Sequence, residues 1–161
     1  MILFGTNPIA WANDDDQRIG AHIPTEQILR EAGQIIGFDG IENGHRWPDD
    51  PVALKELLGS YGLKFISGWY STSLLTRSVG EEIAAVQGHL AKLKANGCRV
   101  CIVCECSNTV HGSPDTPVNA RPRLSDAEMA GFGRKMEEFA RYLADEGITL
   151  AYHHHMGTVV E

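Results

Sequence analysis

Two hydrophobic periods alternate along the chain. Ile83, Val86, Leu90 and Leu93 recur at intervals of three and four, and so do Met129, Phe132, Met136, Phe139 and Leu143. That spacing gathers each set on one face of a helix, where it packs against a sheet. Between the helical stretches stand short apolar runs, each entered through a glycine: Gly37, Gly62, Gly97 and Gly147. Glycine just past a helix takes the left-handed conformation that closes the last turn. The β-branched and apolar run after it predicts a buried strand. Helix starts are marked as well. Asp50-Pro51 reads as an N-cap followed by proline at the first helical position. Ser78 with Glu81, and Ser125 with Glu128, have capping-box spacing.

The predicted order is strand then helix, four times over, and then a fifth strand. Such alternation implies parallel strands joined by right-handed crossovers. An open doubly wound sheet and a (β/α)8 barrel both satisfy it. The first turn carries no glycine-rich phosphate fingerprint. A full barrel needs about 250 residues, and this chain has 161. The expectation is therefore an α/β fold, the N-terminal half of a (β/α)8 TIM barrel with four βα units plus a fifth strand, in a single domain over residues 1–161.

Charge and composition narrow the function classes. A formal charge of -7 argues against a nucleic-acid partner, because phosphate binding needs a basic surface. No segment approaches the apolar run of about 18 residues that a membrane span needs, and the N-terminus lacks the pattern of a signal peptide. A cytoplasmic protein is expected. Cys98, Cys101, Cys104 and Cys106 crowd together, unlike a disulfide framework. Their spacing departs from that of ferredoxin-type clusters. On a strand Cys98 and Cys101 point to opposite faces, so packing is the favoured role.

Function in α/β proteins collects at the carboxyl ends of the strands, and this chain places its unusual polar residues there. Asn7 and Trp11 follow the first strand, Glu42 and His45 the second, Trp69 and Tyr70 the third. Glu105 ends the fourth, with His111 just beyond, and His153-His154-His155 end the fifth. Strand alternation turns His153 and His155 to one face and His154 to the other. Glu105 closes an apolar strand and needs a partner, a metal or a wet cleft; a structural ion pair is the competing role. Residues 107–124 are rich in turn formers and have no period, as expected of a functional loop. Arg121 and Arg123 near its end suit an anionic or polyhydroxyl ligand, or are solvated surface charges.

Several of these segments together resemble bacterial myo-inosose-2 dehydratases: Asn7-Pro-Ile-Ala-Trp11, Asp39-Gly-Ile-Glu42, Ser67-Gly-Trp-Tyr-Ser71, Glu105-Cys-Ser107, Asp115-Thr-Pro117, Arg121-Pro-Arg-Leu124, and the terminal run from Tyr152 to Glu161. They fall in family order across the whole chain, although the family's chains are about twice as long. The resemblance implies a xylose-isomerase-like barrel that dehydrates a cyclic polyol ketone, 2-keto-myo-inositol, with a divalent metal (manganese or cobalt) and an association with glutathione. It implies Glu161 as a metal ligand, with the other ligands outside this sequence. On this reading His153, His155 and Glu105 do acid–base work, while Asn7, Trp11, Glu42, His45, Trp69, Tyr70 and His111 bind substrate. A metal-dependent sugar isomerase or epimerase on the same barrel begins with the same proton abstraction. An inactive half-barrel fragment, self-associating through exposed sheet edges, is the non-enzymatic alternative.

Overall fold

The computed structural model describes residues 2–161, which form two compact units. One runs to Gly68 and includes Ala91–Cys98; the other comprises Trp69–Leu90 and Arg99–Glu161. Each is built on its own three-stranded parallel sheet.

In the first unit the strands are β1 (Gly5–Thr6), β2 (Gly40–Ile41) and β3 (Lys64–Phe65), in that spatial order. Helix α1 (Thr25–Arg30) runs on into a π-helical turn, Glu31–Ile36, and α2 (Pro51–Gly59) follows β2. Asp50 caps α2 as its sequence announces, accepting from the amides of Val52 and Ala53. Ile28, Leu29, Ala32, Ile41, Leu54 and Leu58 are fully buried and make the core.

In the second unit the strands are β4 (Trp69–Thr72), β5 (Val100–Glu105) and β6 (Thr149–Tyr152), with β5 central. Helix α3 (Val79–Ala85) and the long α5 (Asp126–Asp145) begin with complete capping boxes at Ser78–Glu81 and Ser125–Glu128. Between α3 and β5 comes α4 (Gln87–Ala95), whose last residues belong to the first unit. Phe132, Phe139 and Leu143 bury the apolar stripe of α5, and Met129 at its start stays exposed. No helix of the described residues is long and apolar enough to cross a membrane.

The fold is α/β with parallel strands, as the alternation predicts. The four punctuating glycines all have positive φ, between 75° and 85°. Two elements depart from expectation. The single strand expected after Gly62 is two, β3 and β4, parted by exposed Ile66 and buried Ser67 and Gly68, and each joins a different sheet. The helix expected through Val86 is interrupted there into α3 and α4.

Candidate active site

The carboxyl end of the second sheet carries a ring cluster. Register pairs Trp69 with Ile102, and Ile102 with Ala151. Cross-strand partners share a face and side chains alternate along a strand, so His153, two residues past Ala151, falls on the face of Trp69. The Trp69 ring lies 5.0 Å from that of His153 and 5.4 Å from that of His155, both edge-on. The His153 and His155 rings are 6.0 Å apart. His111 arrives from the loop after β5 and meets His155 edge-on at 4.8 Å. The Trp69 indole N–H donates to the Ser71 hydroxyl at 2.9 Å, which fixes the indole on its strand. His153 stays exposed and His155 half-buried. Three imidazoles therefore converge beside one indole. An imidazole can accept or donate a proton near neutral pH, and an indole offers an apolar wall to C–H groups.

His111 is held by the turn beneath it. The Thr109 hydroxyl lies 2.5 Å from His111 Nδ1 and donates to the Gly157 carbonyl at 2.9 Å. The Val110 amide donates to that same carbonyl. Gly157 has φ +76°, and a Cβ there would stand 2.9 Å from the His111 amide nitrogen. The loop sits this close only because residue 157 has no side chain.

Two residues expected in the pocket lie on the opposite face. Tyr70 follows Trp69 directly, so the two-residue period turns it toward the helices. There its hydroxyl donates to Glu82 at 2.7 Å and its ring stacks 6.4 Å from Phe139. Burial, and then the bond to Glu82, push its phenol well above the usual range. Glu105 pairs with Thr72 in register and is fully buried. It accepts from the Thr72 hydroxyl at 2.9 Å, the Leu74 amide at 2.7 Å and the Ser107 amide at 3.0 Å. Its carboxylate ties the turns after β4 and β5 together. Sequence reasoning missed its companion Glu82, fully buried, which also accepts from the Ser73 amide at 2.9 Å. The signal for Glu82 was an acidic residue within a helical apolar stripe.

Glu161, expected as a metal ligand, forms an ion pair with Arg121. Arg121 also donates to the carbonyls of Thr158 and Val159 at 3.4 Å each. Arg123 is exposed. Among the described residues no three His, Cys, Asp or Glu side chains converge in a way that could hold a metal ion. The donor set of this chain does not by itself fit a resident metal. Cys98, Cys101 and Cys104 are free and buried. Burial raises the Cys98 thiol to about 11 and the Cys101 thiol to about 12. Cys104 rises further, first through its hydrogen bond with Cys106 and then through burial.

The first unit carries its own polar set. Asn7 Nδ2 donates to Glu42 Oε2 at 2.6 Å, while Asn7 Oδ1 caps the turn at Ile9. His45 Nδ1 lies 2.5 Å from Asp14 Oδ1. The Trp11 indole donates to Glu31 at 2.7 Å, which holds that carboxyl below the usual range, Gln27 adding to the effect. Trp47 is buried and donates its indole N–H to the Glu42 carbonyl at 2.8 Å. It fixes the strand end from which Glu42 projects.

No family model matches the chain. It is 40% identical over 160 residues to the rhizopine catabolism protein MocC of Rhizobium meliloti, covering 99% of this chain and 49% of that protein. It is 35% identical over 161 residues to an inosose dehydratase of Lacticaseibacillus casei, covering 99% and 54%. To an inosose dehydratase of Bacillus anthracis it is 32% identical, with the same coverage. The chain thus spans about half the length of the curated relatives it matches. Among solved structures it resembles the probable 3-DHS dehydratase AsbF of Bacillus anthracis at TM-score 0.62 and 12% identity, over 98% of this chain and 54% of that one. A xylose isomerase domain containing protein of Salmonella typhimurium gives TM-score 0.58 at 14% identity, over 94% and 50%. These likenesses show the fold alone: the chain matches about half the length of each of those α/β proteins.

Proposed function

We propose that this chain supplies a proton-transfer face of a dehydratase that removes water from 2-keto-myo-inositol. What supports the reading most is its similarity to inosose dehydratases over 99% of its length. The cluster of His111, His153, His155 and Trp69 at one sheet end provides the chemistry.

The hydrogen α to the ketone is acidic because its electron pair delocalises into the enolate. An imidazole of the cluster takes that proton. The pair then expels the hydroxyl on the neighbouring carbon as the C–O bond breaks. The imidazolium returns the proton to the departing hydroxide, which leaves as water. The α-carbon carries its own hydroxyl, so the product is an enol that tautomerises to the dione. Protons and electrons balance without a redox partner. Trp69 presents its apolar surface to the ring C–H groups. Glu161 is engaged by Arg121, and no step is carried by it. A positioned acid or base is worth about 10²–10⁴-fold. His153→Ala and His155→Ala, each in the full reading frame, should lower turnover of inosose by about that factor with the circular dichroism spectrum unchanged. Parental turnover in both variants would defeat the proposal.

The 40% identity to MocC favours a second reading, a related step on a rhizopine-type substrate. The ultraviolet absorbance of a conjugated dione, followed with inosose and with rhizopine in parallel, separates the two. A sugar isomerase or epimerase would produce no such absorbance from either.

A further inference from the structure

We propose that Ser71 is a catalytic residue: its hydroxyl donates to the ketone oxygen of the substrate and holds the negative charge that collects there as the α-proton leaves. The inference rests on the dehydratase reading for its substrate, and on register and proton counting within the second unit for the rest.

Register sets the geometry. Ser71 pairs with Cys104. One step beyond the Val103–Tyr152 pair, Cys104 stands opposite His153, whose amide donates to the Val103 carbonyl at 2.8 Å. Ser71, Cys104 and His153 therefore form one row across the sheet, on the face that carries Trp69. Cys104 is fully buried and floors the row, while Ser71 and His153 at its two ends are exposed. Two strand spacings, about 9.5 Å, separate the backbones that carry the hydroxyl and the imidazole. A ketone oxygen and the C–H group on the next carbon can be reached from the two ends at once. The Trp69 ring, 5.0 Å from that of His153, bounds the space from the adjoining row.

Proton counting sets the direction. A serine hydroxyl has one proton and two lone pairs, and an indole N–H can only donate. In the 2.9 Å contact with the Trp69 indole the Ser71 oxygen is therefore the acceptor. No described residue takes the Ser71 proton, which is left for a ligand that accepts. The bond from the indole also polarises the hydroxyl and makes it a stronger donor. Trp69 is thus the positioning residue of the pair. A ketone oxygen accepts, and accepts more strongly as the enolate forms. His153 takes the α-proton, the C–H electron pair enters the new C=C bond, and the carbonyl π pair moves onto oxygen. Ser71 keeps its own proton throughout and shares it only as a hydrogen bond. That bond is strongest once charge has developed, which is the condition for raising kcat rather than lowering KM.

The test has two parts. On the chain itself, the ¹H–¹⁵N resonance of the Trp69 indole should move upfield in Ser71→Ala and return in Ser71→Thr, which keeps a hydroxyl. A resonance unmoved in Ser71→Ala overturns the proposal, because the positioning bond would not exist. In the full reading frame, inosose is followed in D₂O both for dione absorbance and for protein-dependent loss of its α-proton signal. Ser71→Ala should lower kcat about ten- to a hundredfold, the scale of a hydrogen bond to a charged group, with KM within about twofold. Ser71→Thr should recover most of the rate. Parental kcat in Ser71→Ala, or a change confined to KM, overturns the proposal. Exchange of the α-proton without dione sinks the dehydratase reading alone, and the exchange rate in Ser71→Ala then decides the role of Ser71. A parent that neither exchanges the proton nor forms dione ends both.

Discussion

In the first unit the polar side chains near the strand ends meet partners of the opposite kind. Asn7 donates to Glu42, Trp11 to Glu31, and His45 stands against Asp14. In the second unit the carboxylates Glu82 and Glu105 are turned to the helix face and buried, and the other face is left to imidazoles that meet one another and Trp69. Both units are three parallel strands with helices, so the difference does not come from architecture. It comes from which residues the two-residue period sends to which side. A buried carboxylate with three donors is a structural anchor, because leaving those donors without it is costly. A half-exposed carboxylate with one amide partner can give that partner up to a ligand. The comparison assigns rigidity to the acidic residues of the second unit and exchangeable contacts to those of the first.

The sharpest way to break that contrast is to remove one carboxylate from each unit. Glu105→Ala strands the Thr72 hydroxyl and the Leu74 and Ser107 amides, and should cost about 3 kcal/mol or more. Glu42→Gln keeps the shape of a half-exposed side chain and should cost less than about 1 kcal/mol. Urea unfolding followed by tryptophan fluorescence measures both; equal losses would erase the distinction.

A somewhat smaller effect is expected at the turn below His111. Gly157→Ala forces a side chain into left-handed backbone, which costs about 1–2 kcal/mol, and drives its Cβ toward the His111 amide. Thermal unfolding should register the loss. The histidine ring resonances should show His111 moved from His155, while the His45 signal in the first unit stays in place.

The smallest effect is a pH dependence. Burial raises Tyr152 to about 12 and Cys101 to about 12 in the second unit, and Cys98 to about 11 in the first. A folded-state value above the unfolded one means that the fold favours the protonated form. That stability is complete below the ordinary value near 9 for the thiols or 10 for the phenol, and is lost as pH climbs through the raised one. Both units should hold through pH 8 and weaken above about pH 9, the second more because more of its groups are raised. At pH 8 a thiol reagent should modify Cys106, half-exposed, well ahead of the three buried thiols. Rapid reaction of all four, or stability flat to pH 12, would contradict the packing described for β5.

Much of the fold was legible because its signals are local. Capping boxes at Ser78 and Ser125, the proline after Asp50 and the left-handed glycines each depend on a few neighbouring residues. Alternation, equally local, separated His153 from His154. The same rule, applied across the Trp69–Tyr70 step, turns Tyr70 away from the face of Trp69, although both follow the same strand. Glu105 required knowledge of its register with Thr72, and Trp47 required the turn that brings its indole to Glu42.

By itself, then, the sequence determined the parallel α/β order, the helix ends and the strand ends at which the polar residues collect, since all of these follow from periods and caps a few residues long. Tertiary structure alone decided that the strand after Gly62 divides between two sheets, that Glu161 pairs with Arg121, and that Thr109, Gly157 and His111 form one hydrogen-bonded chain. Those outcomes join residues roughly 40 or more positions apart, or choose one sheet over another. Proton counting and close approach settle them, and neither can be read until the backbone has placed the groups side by side.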